Sequence, residues 1–175
     1  PYWAFAWAGG LALARHLMDH PDLVAGRRVL DFTSGSGLIA IAAAKSGAAH
    51  VLATDTDPLA VVALSLNADA NEVTVQATAA DLLAENSFDP TMVDVVLAGD
   101  PFYDPSIAEL VLAFLARCRA AGCDVLIGDP GRPHLPVARL QLINAQKVLV
   151  TRGLQYVAAV PEYELHAATV WRLVA

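Results

Sequence analysis

The chain of 175 residues is 56% hydrophobic and 17% charged, with a formal net charge of −7; this length suits a single domain, residues 1–175, with a full-sized core. No apolar run approaches the ~18 residues that a membrane-spanning helix needs. A nucleic-acid partner is not expected either. Such binders carry a basic footprint, whereas Lys45 and Lys147 are the only lysines here and no cationic run exceeds Arg27-Arg28.

Residues 4–20, AFAWAGGLALARHLMDH, place apolar side chains at helical spacing, and Pro21 closes the run. RRVLDF (27–32) reads as a first strand leading into the glycine turn TSGSG, and LIAIAAAKSG (38–47) as a helix stopped by Gly47. HVLATD (50–55) is a second strand. DPLAVVALSLNADAN (57–71) is a helix with Asp57 as N-cap and Pro58 in its first turn. VTVQAT (73–78) and MVDVVLAG (92–99) read as the third and fourth strands, separated by a loop around Asn86 to Pro90. PSIAELVLAFLARCRAAG (105–122) is a helix, CDVLIG (123–128) a fifth strand, and a helix is expected over much of 135–152. LQYVAAV (154–160) and HAATVWRLV (166–174) read as two last strands. The short link PEYEL makes them antiparallel neighbours.

Five βα units and a closing hairpin predict an α/β fold. It is a Rossmann-like, seven-stranded, mostly parallel sheet with a C-terminal antiparallel hairpin. The short apolar runs suit strands buried on both faces. A terminal hairpin is unusual for a nicotinamide-binding domain and resembles the topology of class I S-adenosylmethionine-dependent methyltransferases.

VLDFTSGSGLIA supports two readings. Gly35-x-Gly37-x-x-Ala40 fits a dinucleotide turn. Asp31-x-Thr33-x-Gly35-x-Gly37 fits a methyltransferase turn, an acid followed by G-x-G-x-G with Thr33 in the first glycine's place. A pyrophosphate uses the helix N-terminus as its anion site, and Asp31 just before that turn repels it. A sulfonium or ammonium is favoured by the same carboxylate in a low-dielectric cleft. Asp55 ends the second strand, 24 residues past Asp31, where an acid takes both ribose hydroxyls; it suits either adenosine cofactor. Asp81 is positioned to receive an adenine amine, with Leu82 against the ring, or is an ordinary loop Asp. Thr33 crowds the turn if that position needs positive φ.

Ligands of open α/β sheets bind outside the carboxyl ends of the strands, where Asp31, Asp55, Asp81 and Asp100 all fall. Asp100-Pro101-Phe102-Tyr103 looks like the Asp-Pro-Pro-Tyr signature of enzymes that methylate exocyclic amines of bases, with Phe102 for the second Pro. Methyl transfer to an amine depends on orienting a neutral lone pair, and a lysine acceptor must first lose a proton held with a pKa of ~10.4. Asp100 is expected to orient the amine and secondarily to accept its proton. Phe102 and Tyr103 are expected as an apolar wall that lowers the amine pKa, or as core packing. Asp104, before Pro105 and a helix, reads as an N-cap or a substrate contact. A second Gly-Asp-Pro, in IGDPGRP (127–133), brings Arg132 to the same rim. There it binds an acidic substrate patch, braces Asp129 or Asp100, or is solvated beside a turn.

Cys118 and Cys123 fit neither a zinc site nor a redox pair; free buried thiols suit a cytoplasmic location. The five histidines show no metal-ligand spacing, so no metal is expected. No signal peptide is visible, and Pro1 in place of Met suggests a trimmed chain.

PYWAFAWAGGLALARHL, VLDFTSGSG with IAAAKSGA, GDPFYD, LIGDPGRP and the closing ATVWRL together resemble the lysine methyltransferases that act on the electron transfer flavoprotein β-subunit. The likeness is poor over 135–165. It implies S-adenosylmethionine as donor, a protein lysine as acceptor and that flavoprotein subunit as partner. It places Trp7 beside the cofactor and Asp100, Phe102 and Tyr103 along the lysine channel. Ala8 stands where the family pattern has Pro, and Thr33 where it has Gly. The competing readings are an N-methyltransferase of small amines or bases, a nicotinamide-dependent oxidoreductase, and an idle cofactor-binding module.

Overall fold

A computed structural model describes residues 1–84, 88–151 and 163–174. Its centre is one seven-stranded sheet with the strand order β3-β2-β1-β4-β5-β7-β6. The strands are β1 (Arg28–Phe32), β2 (His50–Asp55), β3 (Gln76–Ala79), β4 (Val95–Gly99), β5 (Asp124–Asp129), β6 (Leu140–Thr151) and β7 (Tyr163–Leu173). The first five run parallel, and β7 is antiparallel to both β5 and β6. The α/β architecture expected from the sequence, with its C-terminal antiparallel pair, is therefore present.

Among the described residues four α-helices cover the sheet: α1 (Ala8–Asp19), α2 (Leu38–Lys45), α3 (Pro58–Ala70) and α4 (Ala108–Ala120). Leu13 and Leu17 of α1, Ile39 of α2 and Leu64 of α3 fill a core on one face. Val111, Phe114 and Leu115 of α4 fill the other, against Leu30, Val96 and Ile127. The central strands are buried on both faces, as parallel strands between helix layers must be.

Local signals account for several boundaries. Asp57 caps α3 by accepting the Leu59 N–H at 2.8 Å, ahead of Pro58 in the first turn. Gly47 (φ +87°) and Gly122 (φ +101°) lie beyond the ends of α2 and α4 in the left-handed region.

Three expectations are corrected. The helix expected over 135–152 is strand β6, whose residues Leu140 to Thr151 pair with Tyr163 to Leu173. The closing hairpin therefore pairs β6 with β7, and the strand expected at 154–160 lies outside the described residues. The helix expected from residue 4 begins at Ala8, after a 3-10 turn at Tyr2–Ala4. Among the described residues β3 and β5 are followed by 3-10 turns rather than α-helices, so α-helical crossovers follow β1, β2 and β4 only.

Candidate active site

The carboxyl ends of β1, β2, β3 and β4 open into a cleft of about 470 Å³, within the range of small-molecule sites. Of the residues singled out in the sequence, Trp7, Thr33, Gly35, Asp55, Asp81, Leu82, Asp100, Tyr103 and Arg132 line it. Asp31, Gly37, Phe102 and Asp104 do not.

Each of those four has another setting. Asp31 is fully buried, and its Oδ2 accepts the Ala40 N–H at 2.9 Å, capping α2 from the neighbouring strand. Among the described residues its Oδ1 has no hydrogen-bond partner. Burial drives the carboxyl up to about 8; the Ala40 bond opposes this and Asp55 adds to it. Gly37 is the N-cap of α2 at φ +92°, where a Cβ would sit 2.6 Å from Leu64 Cγ. Phe102 is 1% exposed and belongs to the core beneath α4, so it is not part of a channel wall. Asp104 accepts the Ser106 N–H and hydroxyl at 2.8 and 2.7 Å, a turn preceding α4, and those bonds lower its carboxyl pKa.

On the cofactor side, Asp55 accepts the Gly35 N–H (2.9 Å) and the Asp57 N–H (3.0 Å), leaving carboxylate lone pairs for a ligand. Thr33 adopts φ +63°, the left-handed region that the sequence reading marked as costly for a non-glycine residue. Asp81 accepts the Leu83 and Ala84 N–H groups, and Leu82 is buried against the cleft floor.

The other half of the cleft centres on Asp100, 7% exposed and at φ +54°. Its N–H donates to Gly128 O (2.8 Å), its Oδ2 accepts the Gly10 N–H (2.8 Å), and its Oδ1 accepts Arg132 Nη2 (2.8 Å). Arg132 also stacks 5.9 Å from the Trp7 ring centroid and lies 3.9 Å from Asp129. The bracing role weighed for Arg132 is thus its geometry here. Tyr103 is exposed at the rim with its ring 6.4 Å from Tyr2; partial burial, then Asp104, Asp55 and Tyr2, raise its phenol pKa.

Sequence reasoning missed three features. Trp3 and Asp57 line the cleft and bond to each other, Trp3 Nε1 donating to Asp57 Oδ2 at 2.9 Å. Tyr2 lines it too and accepts the Trp7 indole N–H on its carbonyl. Glycines let α1 land on the strand ends: a Cβ on Gly9 would sit 2.3 Å from Gly128 O, and one on Gly99 3.0 Å from Gly10 Cα. The paired Gly-Gly at 9–10 and Gly-Asp at 99–100 and 128–129 were the available signal.

Among the described residues lining the cleft, the acidic side chains are Asp55, Asp57, Asp81 and Asp100, and the basic one is Arg132. The α2 N-terminus, where a pyrophosphate would lie, already holds the Asp31 carboxyl. The site therefore suits a cationic adenosine cofactor better than a dinucleotide.

The fold is that of class I methyltransferases. It matches ribosomal protein L11 methylase from Lactobacillus delbrueckii subsp. bulgaricus at TM-score 0.59, 21% identical over 93% of this chain and 79% of that one. It also matches a Pyrococcus abyssi tRNA (uracil-54, C5)-methyltransferase in complex with S-adenosyl-L-homocysteine at TM-score 0.61, 19% identical over 94% and 38%. A profile of the ribosomal protein L11 methyltransferase (PrmA) family matches residues 15–100. The electron transfer flavoprotein beta subunit lysine methyltransferase of Rattus norvegicus is 45% identical over 77% of this chain and 52% of its own length. Its homolog in Caenorhabditis elegans is 31% identical over 93% of this chain and 71% of its own. The chain belongs to the electron transfer flavoprotein β-subunit lysine methyltransferase family. It spans about half the length of the vertebrate relatives it matches, 52% for rat and 51% for human.

Proposed function

We propose that this chain is an S-adenosylmethionine-dependent protein-lysine N-methyltransferase whose acceptor is the electron transfer flavoprotein β-subunit or a similar protein. The observation that carries the reading is the acidic, aromatic-rimmed cleft. Four carboxylates face one guanidinium, a balance that attracts a sulfonium donor and an amine acceptor and repels phosphate.

In this reading Asp55 holds the ribose, Asp81 and Leu82 meet the adenine, and Trp7, Thr33 and Gly35 line the methionine end. Gly37 and Asp31 shape the turn from behind. The left-handed backbone at Gly35 (φ +52°) and the Asp55 carboxylate that lines the cleft fit such a ligand. When bound, the sulfonium supplies an electrophilic methyl group. Asp100 accepts hydrogen bonds from the acceptor amine and aims its lone pair. Tyr103, Tyr2 and Trp7 form an aromatic rim suited to an alkylammonium, and Arg132 fixes Asp100. A reducing compartment such as the cytoplasm suits the two buried free thiols.

Thermal melts test the donor. S-adenosylhomocysteine should raise the melting temperature and NAD should not; stabilisation by NAD alone overturns the reading. Labelled S-adenosylmethionine and mass spectrometry test the acceptor, with label expected on lysine of the flavoprotein subunit. Label on a small metabolite or on RNA would favour the base and small-amine alternatives. Asp100→Asn should keep homocysteine-adduct binding and lose transfer by 10²-fold or more, the order of a lost positioning contact. Unchanged transfer removes Asp100 from the mechanism.

A further inference from the structure

We propose that residues 1–7 form a latched wall of the donor pocket and that Trp3 is a cofactor-retaining residue. This rests on the donor assignment above and goes beyond it.

Two contacts of Trp3 hold the segment over the site, and a third ties it to the start of α1. The Trp3 indole N–H donates to Asp57 Oδ2 at 2.9 Å. Trp3 backbone lies against the glycine turn, with its Cα 3.6 Å from where a Gly35 Cβ would be. The Tyr2 carbonyl accepts the Trp7 indole N–H at 2.9 Å, tying the segment back to the start of α1. Pro1, Tyr2 and Trp3 line the same cleft as Asp55 and Asp57. A ligand held by Asp55 therefore has this segment as one of its walls, and it leaves fastest when the segment lifts.

Asp57 has one carboxylate oxygen for each task. Its Oδ1 accepts the Leu59 N–H and caps α3, while Oδ2 receives Trp3. The cap and the latch can therefore be separated by substitution. Asp57→Asn keeps a capping oxygen, since Asn caps as well as Asp, but has no second oxygen for the indole. Trp3→Phe keeps an aromatic side chain and the backbone contact with Gly35, and loses the N–H donor.

The test measures S-adenosylhomocysteine binding by calorimetry and its dissociation rate by stopped flow, in wild type, both single variants and the double variant. Each single variant should weaken binding about tenfold, the scale of a hydrogen bond to a charged group. The loss should lie in the dissociation rate rather than the association rate. The double variant should be no weaker than either single one, because both remove the same bond. Ligand-free melting temperatures close to wild type show that the fold and the α3 cap persist. Binding within twofold of wild type in Trp3→Phe overturns the latch, as do additive losses in the double variant. Wild-type chain without affinity for the homocysteine adduct overturns the donor assignment and the latch together, whereas intact wild-type affinity with unaffected variants overturns the latch alone.

Discussion

At the scale of single residues, two carboxylates assigned to a ligand turn out to serve helices as well. Asp31 and Asp100 each accept the third N–H of a helix that starts elsewhere in the chain, Ala40 in α2 and Gly10 in α1. Neither helix has a side-chain cap of its own. Spacing along the chain does not show this, because Asp100 and Gly10 are 90 residues apart. Asp31 carries a pH consequence. Its folded-state pKa is raised to about 8 from 3.8 by burial. The folded chain thus keeps a proton that the unfolded chain loses, and its stability contribution falls as pH rises from about 4 to about 8. Urea unfolding across that range should show this decline in wild type and a flatter profile in Asp31→Asn.

Thr33 is the second residue-scale case. A β-branched residue at φ +63° is strained, and such positions cost on the order of 1–3 kcal/mol. Thr33→Gly should therefore raise the unfolding free energy by about 1 kcal/mol, part of the relief being offset by the freer unfolded chain. A lower value in urea titrations would mean that the Thr33 hydroxyl bond to Phe32 O outweighs the strain.

At the scale of elements, the first helix is legible in its apolar spacing but not in its destination. Its two glycines look alike in sequence and differ in the fold. A Cβ on Gly9 meets Gly128 O at 2.3 Å, whereas one on Gly10 meets nothing closer than Ile39 Cδ1 at 3.8 Å. Gly9→Ala should cost more than about 2 kcal/mol through backbone overpacking. Gly10→Ala should be neutral or stabilising by up to ~1 kcal/mol, the helix-propensity difference. Comparable destabilisation in paired denaturation curves would contradict this docking of α1 on β5.

The misread element is β6. LQLINAQKVLV carries Leu, Gln and Ala, which suit a helix, and it lacks strict alternation. A register shift between Leu142 and Asn144 breaks the period of two. Beyond it, Gln146 bonds to Ala12 O and Val148 is buried, both towards α1. Pairing with β7 and packing on α1 override the local preference.

At the scale of the whole molecule, the net charge of −7 argues against a broad basic footprint without locating any site. Folding concentrates Asp55, Asp57, Asp81 and Asp100 at one cleft. On the proposed function, a lysine peptide with basic flanks should therefore be methylated several-fold faster at low salt than the same peptide with acidic flanks. The difference should shrink as salt rises and the Debye length falls below ~10 Å. Initial rates at two ionic strengths check this, and a salt-independent preference would place recognition in uncharged contacts.

The sequence by itself determined the sheet class, the strand ends that carry Asp55, Asp81 and Asp100, the glycine turn and the family. All of these reside in local runs, whose burial pattern and turn chemistry are set by neighbours a few residues away. Only the tertiary structure decided that Phe102 packs inward, that Asp31 turns away from the cleft, that Arg132 clamps Asp100, and that Trp3 reaches Asp57. The Arg132–Asp100 and Trp3–Asp57 pairs join segments 32 and 54 residues apart at one end of the sheet, and the turn of Asp31 toward Ala40 is set by how α2 docks on β1; no local periodicity encodes any of these.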